Sequence, residues 1–270
     1  MSLFHYTDVA AVMSILEKQE IWLTDVRFLN DSQEFYDGVD FVQSAIGNIA
    51  GVKATDGFMG VACNYISTIT SSSFKHELEI SQKFVCSFSQ RGDLLSQWRS
   101  YGSYAIEFDK EKFSDSLSLV DCVYCEEQKK QKSLSKLGDS LLYLAGAFRK
   151  DGGLGGPEVS EVQMDLVSLC LSFKNKHFSE EAEVRSVVSD DVSSQDIKYR
   201  ARGGLLVPYV AYDFPIESVK AIHIGPMENQ SLAKKSICML VEQLGVKFLL
   251  EGKDKPEINV VCSEIPYRTL

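Results

Sequence analysis

Hydrophobic and polar positions along the chain alternate between blocks with strand period and blocks with helix period. Leu3-Phe4-His5-Tyr6 opens as a short strand. Thr7 or Asp8 can then cap a helix whose apolar residues Val9, Val12, Met13 and Leu16 recur at helical spacing. Ile21-Trp22-Leu23-Thr24 predicts a second strand. Asp31 followed by Glu34 has the spacing of a capping box, and Phe35, Val39, Val42, Ile46 and Ile49 line one side of the helix it opens. From Gly51 to Ser81 the pattern weakens to a helix with an exposed break in the stretch from Ser67 to Ser73. Lys83 to Phe88 predicts a strand, and Gly92 to Ser100 a short helix carrying Leu94, Leu95 and Trp98. Strands follow at Ser103 to Phe108, where Tyr104, Ile106 and Phe108 alternate, and at Leu119 to Cys125.

The stretch from Glu126 to His177 is helical apart from Asp151-Gly152-Gly153-Leu154-Gly155-Gly156-Pro157, which cannot continue a helix, although Pro157 can open the next. No Lys-Ser/Thr follows these glycines and no strand precedes them, so a helix–helix connection explains them better than a phosphate loop. Strands return at Val184 to Val188, Asp196 to Tyr199, Leu205 to Tyr212 and Val219 to Ile224. A helix from Ser231 to Leu244 has Ala233, Ile237, Leu240, Val241 and Leu244 on its inner face, and strands at Val246 to Leu250 and Ile258 to Cys262 close the sheet. Strands cluster rather than alternating regularly with helices, which favours an α+β fold. With no internal repeat and no long linker, residues 1–270 read as a single domain.

Composition adds boundaries. Hydrophobic residues are 44% and charged residues 24% of the 270, enough for a sizeable core. No apolar run approaches the roughly 18 residues that cross a bilayer, and no secretory signal opens the chain, so a cytoplasmic protein without membrane association is expected. The seven cysteines are scattered, and several sit in apolar strand-like runs. Cys122 and Cys125 form the one CxxC, without the second pair or the histidines that zinc requires and within a strand rather than at a helix start, so reduced structural thiols and no metal are expected. The net charge of −10 argues against broad contact with nucleic acid, although Lys198, Arg200 and Arg202 form one basic cluster and Lys129, Lys130 and Lys132 another. Either cluster reads first as a solvated face.

Four constellations carry chemistry: His5-Tyr6-Thr7 on the opening strand; Cys86-Ser87-Phe88-Ser89-Gln90 continuing to Trp98-Arg99-Ser100-Tyr101-Gly102; Glu180-Glu181-Ala182-Glu183-Val184-Arg185; and Ile265-Pro266-Tyr267-Arg268. Each also has a structural reading, as hydrogen-bonded, core or solvated residues. Glu181 and Glu183 stand two apart at a strand entrance, so in extended backbone they share a face with Arg185, which could hold a carboxylate ionised. A structural Glu–Arg ladder fits that spacing equally well.

Together these motifs resemble a prokaryotic family catalogued as domain of unknown function 2971. The resemblance runs from Phe4-His5-Tyr6-Thr7 through Trp22-Leu23-Thr24, Phe28-Leu29-Asn30-Asp31 with Glu34, Ser87-Phe88-Ser89 and Trp98 to Gly102. It continues through Glu181 to Arg185, Pro208-Tyr209 and Ile224-Gly225-Pro226, and ends on Ser263 to Arg268. The layout is similar to that of ADP-ribosyltransferases, including toxins that modify DNA and RNA. It implies an ADP-ribosyltransferase-like fold, a mostly antiparallel split sheet core with surrounding helices.

By this resemblance NAD is the substrate, bound by His5, Tyr6 and Thr7 at the adenosine end. Ser87, Ser89, Trp98 and Tyr101 shape the nicotinamide pocket, and no metal takes part. Glu183 would stabilise the charge that develops on the ribose, and Glu181 would orient or deprotonate the acceptor. The acceptor would be RNA, DNA or protein, in a toxin or phage-defence effector with a neutralising antitoxin as a partner. The alternatives are a non-enzymatic module that uses the same cleft for a ligand or partner, and a relative that hydrolyses NAD without an acceptor.

Overall fold

The computed structural model describes residues 1–29, 33–50, 57–69, 82–114, 117–153, 156–189 and 196–266. Its first half runs β1 (Ser2–Thr7), α1 (Val9–Lys18), β2 (Glu20–Asp25), α2 (Gln33–Ala50), α3 (Gly57–Ile69), β3 (Lys83–Ser89), α4 (Leu95–Tyr101), β4 (Tyr104–Asp109), α5 (Lys110–Ser114) and β5 (Leu119–Asp121). The second half runs α6 (Glu126–Asp151), α7 (Gly156–Ser172), β6 (Glu183–Ser189), β7 (Lys198–Arg202), β8 (Leu205–Asp213), β9 (Val219–Ile224), α8 (Gln230–Leu250) and β10 (Asn259–Cys262). The proposed capping box at Asp31, the serine-rich stretch from Thr70 to Ser73, and Tyr267 and Arg268 lie outside the described residues. Among the described residues no helix is long and apolar enough to cross a membrane.

The fold is α+β, with a mostly antiparallel sheet in the order β10-β9-β4-β1-β3-β2-β8-β7, in which, among the described residues, only the β9–β10 strand pair is parallel. β3 is its centre. One edge pairs along its whole length with β6, which also carries β5. The other edge is shared: β1 meets it at Ser89 through Phe4, while β2 meets it at Phe84 and Val85 through Asp25 and Thr24. The sheet therefore parts between β1 and β2, opposite the middle of β3.

Strand alternation sends β3 side chains to two cores. Phe84, Cys86 and Phe88 join a cluster with Leu3, Leu16, Ile106 and Phe108, whereas Val85 joins Val39, Leu137, Leu144 and Leu166 beneath α2, α6 and α7. Ala105 is as buried as its neighbour Ile106 because a third, smaller cluster with Tyr6 and Trp98 covers the other face of β4. Seven cysteines are free, with Cys86 and Cys170 buried among apolar residues.

Four sequence expectations need correction. Val246 to Leu250 is not a strand but the end of α8, because Phe248 extends the buried stripe of Ile237, Val241 and Leu244 at helical spacing. Each such burial contributes about 1.5–3 kcal/mol, which outweighs the β propensity of one Val. The strand expected to reach Cys125 stops at Asp121, leaving Val123 in an isolated bridge to Phe173. The strand placed at Asp196 starts instead at Lys198 and ends in the Gly203–Gly204 turn, where φ of 55° and 81° suits a two-residue hairpin. In α1, capped by Asp8 through Ala11 N at 2.8 Å, the inward positions are Val12, Ile15 and Leu16, whereas Val9 and Met13 face solvent.

Several motif residues converge on one knot. The Trp98 indole packs edge-on against Tyr6 at 4.6 Å and donates to Asp93 at 2.9 Å. Asp93 also accepts from the Ser263 hydroxyl and from Glu264 N. Gly225 lies so close that a Cβ there would stand 2.8 Å from the indole, and a Cβ on Gly102 would stand 2.4 Å from the Thr7 carbonyl oxygen. These contacts tie the end of β1 to the segment after β10. Trp98→Ala is expected to lower stability by about 3–5 kcal/mol, read from urea unfolding; a value within about 1 kcal/mol of wild type would contradict this role.

Candidate functional site

The parting of β1 and β2 opens a cleft of about 590 Å³, within the range of roughly 300–1,000 Å³ typical of small-molecule sites. Its floor is the middle of β3. Ser87 is the one exposed residue of that strand, and on the edge shared by β1 and β2 neither strand reaches it. The parting also leaves the Ser87 carbonyl without a ladder partner on this side, and a side chain supplies one: His5 Nδ1 donates to it at 3.0 Å. Burial holds the imidazole below its ordinary pKa, with the Ser87 bond opposing and the Arg200 charge reinforcing that shift. A neutral His5 that donates through Nδ1 has Nε2 as its acceptor.

The acids lie beside the Ser89 end of β3, where Glu183 pairs with Ser89. Ala182 is left-handed (φ 42°), so Glu181 and Glu183 are not joined by extended backbone as their spacing suggested. They meet instead through Lys174, which donates to Glu181 Oε2 at 2.6 Å and to Glu183 Oε2. Arg185, on the same face of β6 as Glu183, donates from Nε to Glu183 Oε1 at 2.6 Å and from Nη1 to the Leu171 carbonyl at 2.7 Å. That carbonyl is one of those the end of α7 leaves unpaired, so the charged cluster also terminates the helix. Tyr124 Oη accepts from Glu183 N at 2.7 Å, and Ser89 Oγ donates to the Glu181 carbonyl at 2.6 Å.

Electrostatics follow from this packing. Burial would push the Glu183 carboxyl up, but the Arg185 and Lys174 charges overcome it and hold the group at about 2. Burial likewise works against the Lys174 charge, yet Glu183 and the bonds from both carboxylates raise its pKa above the ordinary lysine value. Both Glu183 oxygens are occupied and the residue is 5% exposed. Glu181 is more open, with Oε2 held by Lys174 and Oε1 without a partner among the described residues.

Of the residues singled out in the sequence, His5, Tyr6, Thr7, Ser87, Ser89, Tyr101, Glu181 and Glu183 all line this cleft. Two are tied into its walls: Tyr6 Oη donates to the Arg91 carbonyl, and Ser89 is buried against the Glu181 turn. Trp98 is not part of the lining and lies behind Tyr6 in the knot described above. Lys174 and Arg200 both line the cleft and were not recognised as site residues. Lys174 stands alone in Ser172-Phe173-Lys174-Asn175 with no pattern to mark it, whereas the alternation of Lys198, Arg200 and Arg202 did signal a cationic strand face.

No family model matches the chain, and no curated protein or solved structure matches it.

Glu183→Gln removes the charge that holds two buried cations and is expected to cost about 3–5 kcal/mol. The Glu183 pKa is depressed in the folded chain, so its stabilisation is complete above the ordinary carboxylate range and is lost as pH falls from about 5 towards 2. Urea unfolding from pH 7 to pH 2.5 should show this acid-labile component in wild type and its absence in Glu183→Gln. Equal acid sensitivity in the two proteins would contradict the assignment.

Proposed function

We propose that the chain transfers ADP-ribose from NAD to a macromolecular acceptor, with chemistry in the cleft between β1 and β2. The observation that carries this reading is convergence: His5, Ser87, Tyr101, Glu181 and Glu183, drawn from separate motifs, line one cavity of dinucleotide-compatible size. The parted antiparallel sheet is similar to the split sheet that the motif resemblance implies.

The chemistry fits the groups present. Cleavage of the C1′–N bond sends its electron pair to nicotinamide, which departs neutral, and positive charge develops on the ribose. A fixed carboxylate beside that ribose stabilises the charge more than it stabilises the ground state. Glu181 has the oxygen to offer, while Glu183 holds Lys174 and Arg185 in place. This reverses the division of labour that the resemblance implies. An acceptor O–H or N–H then bonds to C1′ and gives up its proton to Glu181. His5, with Nε2 free to accept, holds the adenosine end, and Ser87 and Tyr101 flank the nicotinamide.

The acceptor is RNA, DNA or protein, and the net charge of −10 favours contact with a short segment over a long nucleic-acid footprint. An effector of this kind, a toxin or phage-defence protein, acts in the cytoplasm and is held in check by an antitoxin. A second reading, a non-enzymatic binding module, draws on one observation: the acid that the motif marks as catalytic is saturated by Lys174 and Arg185.

Nicotinamide release from NAD by purified protein, with cellular RNA, DNA and protein as acceptors, separates the two readings. Wild type should release nicotinamide and label one acceptor class. Glu181→Gln should lose roughly 100-fold or more in rate while keeping a near-wild-type unfolding midpoint, because Glu183 still holds Lys174. Absence of both NAD binding and nicotinamide release in wild type would overturn the enzyme reading, and undiminished turnover by Glu181→Gln would overturn its role.

A further inference from the structure

Arg200 stands apart from the other cations of the cleft. Lys174 and Arg185 are paired with Glu183, and Lys174 also with Glu181, but Arg200, half-buried on β7, has no carboxylate within ion-pair distance among the described residues. Its side chain crosses β8 to reach β2, where Nη2 donates to Thr24 Oγ1 at 2.8 Å. The guanidinium carbon lies 5.4 Å from the Trp22 ring centroid and 5.8 Å from that of Tyr209. Those two rings are themselves 4.4 Å apart and form a shared aromatic surface beneath the charge.

A guanidinium withdrawn from water normally gains an acidic partner, since aromatic faces return only part of its lost hydration. Here one of five donors is fixed by Thr24, and the others have no protein acceptor among the described residues. Asp8 is a more distant acid that caps α1. Burial, followed by the Arg202 charge, weighs against the cation and lowers its pKa. Arg202, two residues along the same strand face, lines the same cavity. An oriented guanidinium without an acid, facing a cleft, is the arrangement that planar recognition of a phosphate group requires.

We propose that this β7 wall is an anion subsite, in which Arg200 binds the diphosphate of a dinucleotide and Trp22, Tyr209 and Thr24 fix its orientation. Naming a dinucleotide rests on the NAD reading given above; the subsite itself rests on the unpaired guanidinium and holds for free diphosphate as well. The cleft then offers both polarities, with Arg200 for the diphosphate and Glu181 for the adjoining ribose that becomes positive. The Arg200–Thr24 bond makes Thr24 a positioning residue for that cation.

Calorimetric titration with inorganic pyrophosphate, ADP-ribose and adenosine tests this on the full chain, with Arg200→Gln and Arg200→Lys beside wild type. Pyrophosphate and ADP-ribose should bind wild type and weaken about 10- to 100-fold in Arg200→Gln, with Arg200→Lys intermediate because it keeps the charge but not the fork. Adenosine, which has no phosphate, should be indifferent to either change. The wild-type pyrophosphate titration needs no variant to fold, and absence of both pyrophosphate and ADP-ribose binding overturns the subsite. Wild-type affinity for both ligands in Arg200→Gln overturns it as well. Arg200-dependent pyrophosphate binding without nicotinamide release keeps the subsite and ends the transferase reading. Nicotinamide release with an unchanged KM for NAD in Arg200→Gln does the reverse.

Discussion

The ion cluster of Lys174, Glu183 and Arg185 is the constraint on which the rest of the site depends. Three charges lie almost out of water, and taking each from solvent costs several kcal/mol before any attraction is counted. They persist because each is matched: Glu183 receives both cations, Lys174 also holds Glu181, and Arg185 takes the Leu171 carbonyl. This joins the end of α7, the turn before β6 and the first residues of β6. The Glu181 turn, which has little apolar packing of its own, is held by polar contacts instead. Such a cluster contributes little net stability compared with apolar packing, but removing one member exposes the whole desolvation cost of the others.

β3 provides the second constraint. It pairs with three strands, and the two on its shared edge cannot meet the same residues, so the middle of that edge is left to side chains. His5 fills part of the gap, and the remainder is the cleft. A sheet parted in this way keeps apolar cores on both faces while exposing backbone and hydroxyl groups at its centre. A ligand can therefore reach β3 without any opening of the core. In the proposed mechanism that geometry brings the anionic centre of a dinucleotide to Arg200 and the adjoining ribose to Glu181, within one cavity.

Much of this was legible in the sequence, and the omissions have physical causes. Strands with a clear apolar run, such as Ile21 to Thr24 and Val219 to Ile224, emerged close to their final bounds because each buries side chains regardless of its neighbours. The Val246 to Leu250 segment misled because a short apolar run has no period of its own, and only its phase with Ile237, Val241 and Leu244 marks it as helix. The Glu181–Glu183 pairing was reached by the wrong route, since local spacing cannot reveal a left-handed Ala182 or a lysine donated from the end of another helix. Trp98 belonged to the right motif but serves the knot under β1, a distinction set by Asp93 and Gly225 far away in sequence. Arg200 was visible as a cation, but whether it faces solvent or a cleft depends on how β7 joins the sheet beyond β2 and β8.

The most direct test of the account is a crystal structure of the chain soaked with ADP-ribose and nicotinamide. The account predicts ADP-ribose along the parting of β1 and β2, with its diphosphate against Arg200, adenosine near His5 Nε2 and the terminal ribose within hydrogen-bond distance of Glu181 Oε1. Ligand bound elsewhere on the surface, or a cleft that stays empty at saturating concentration, would contradict it.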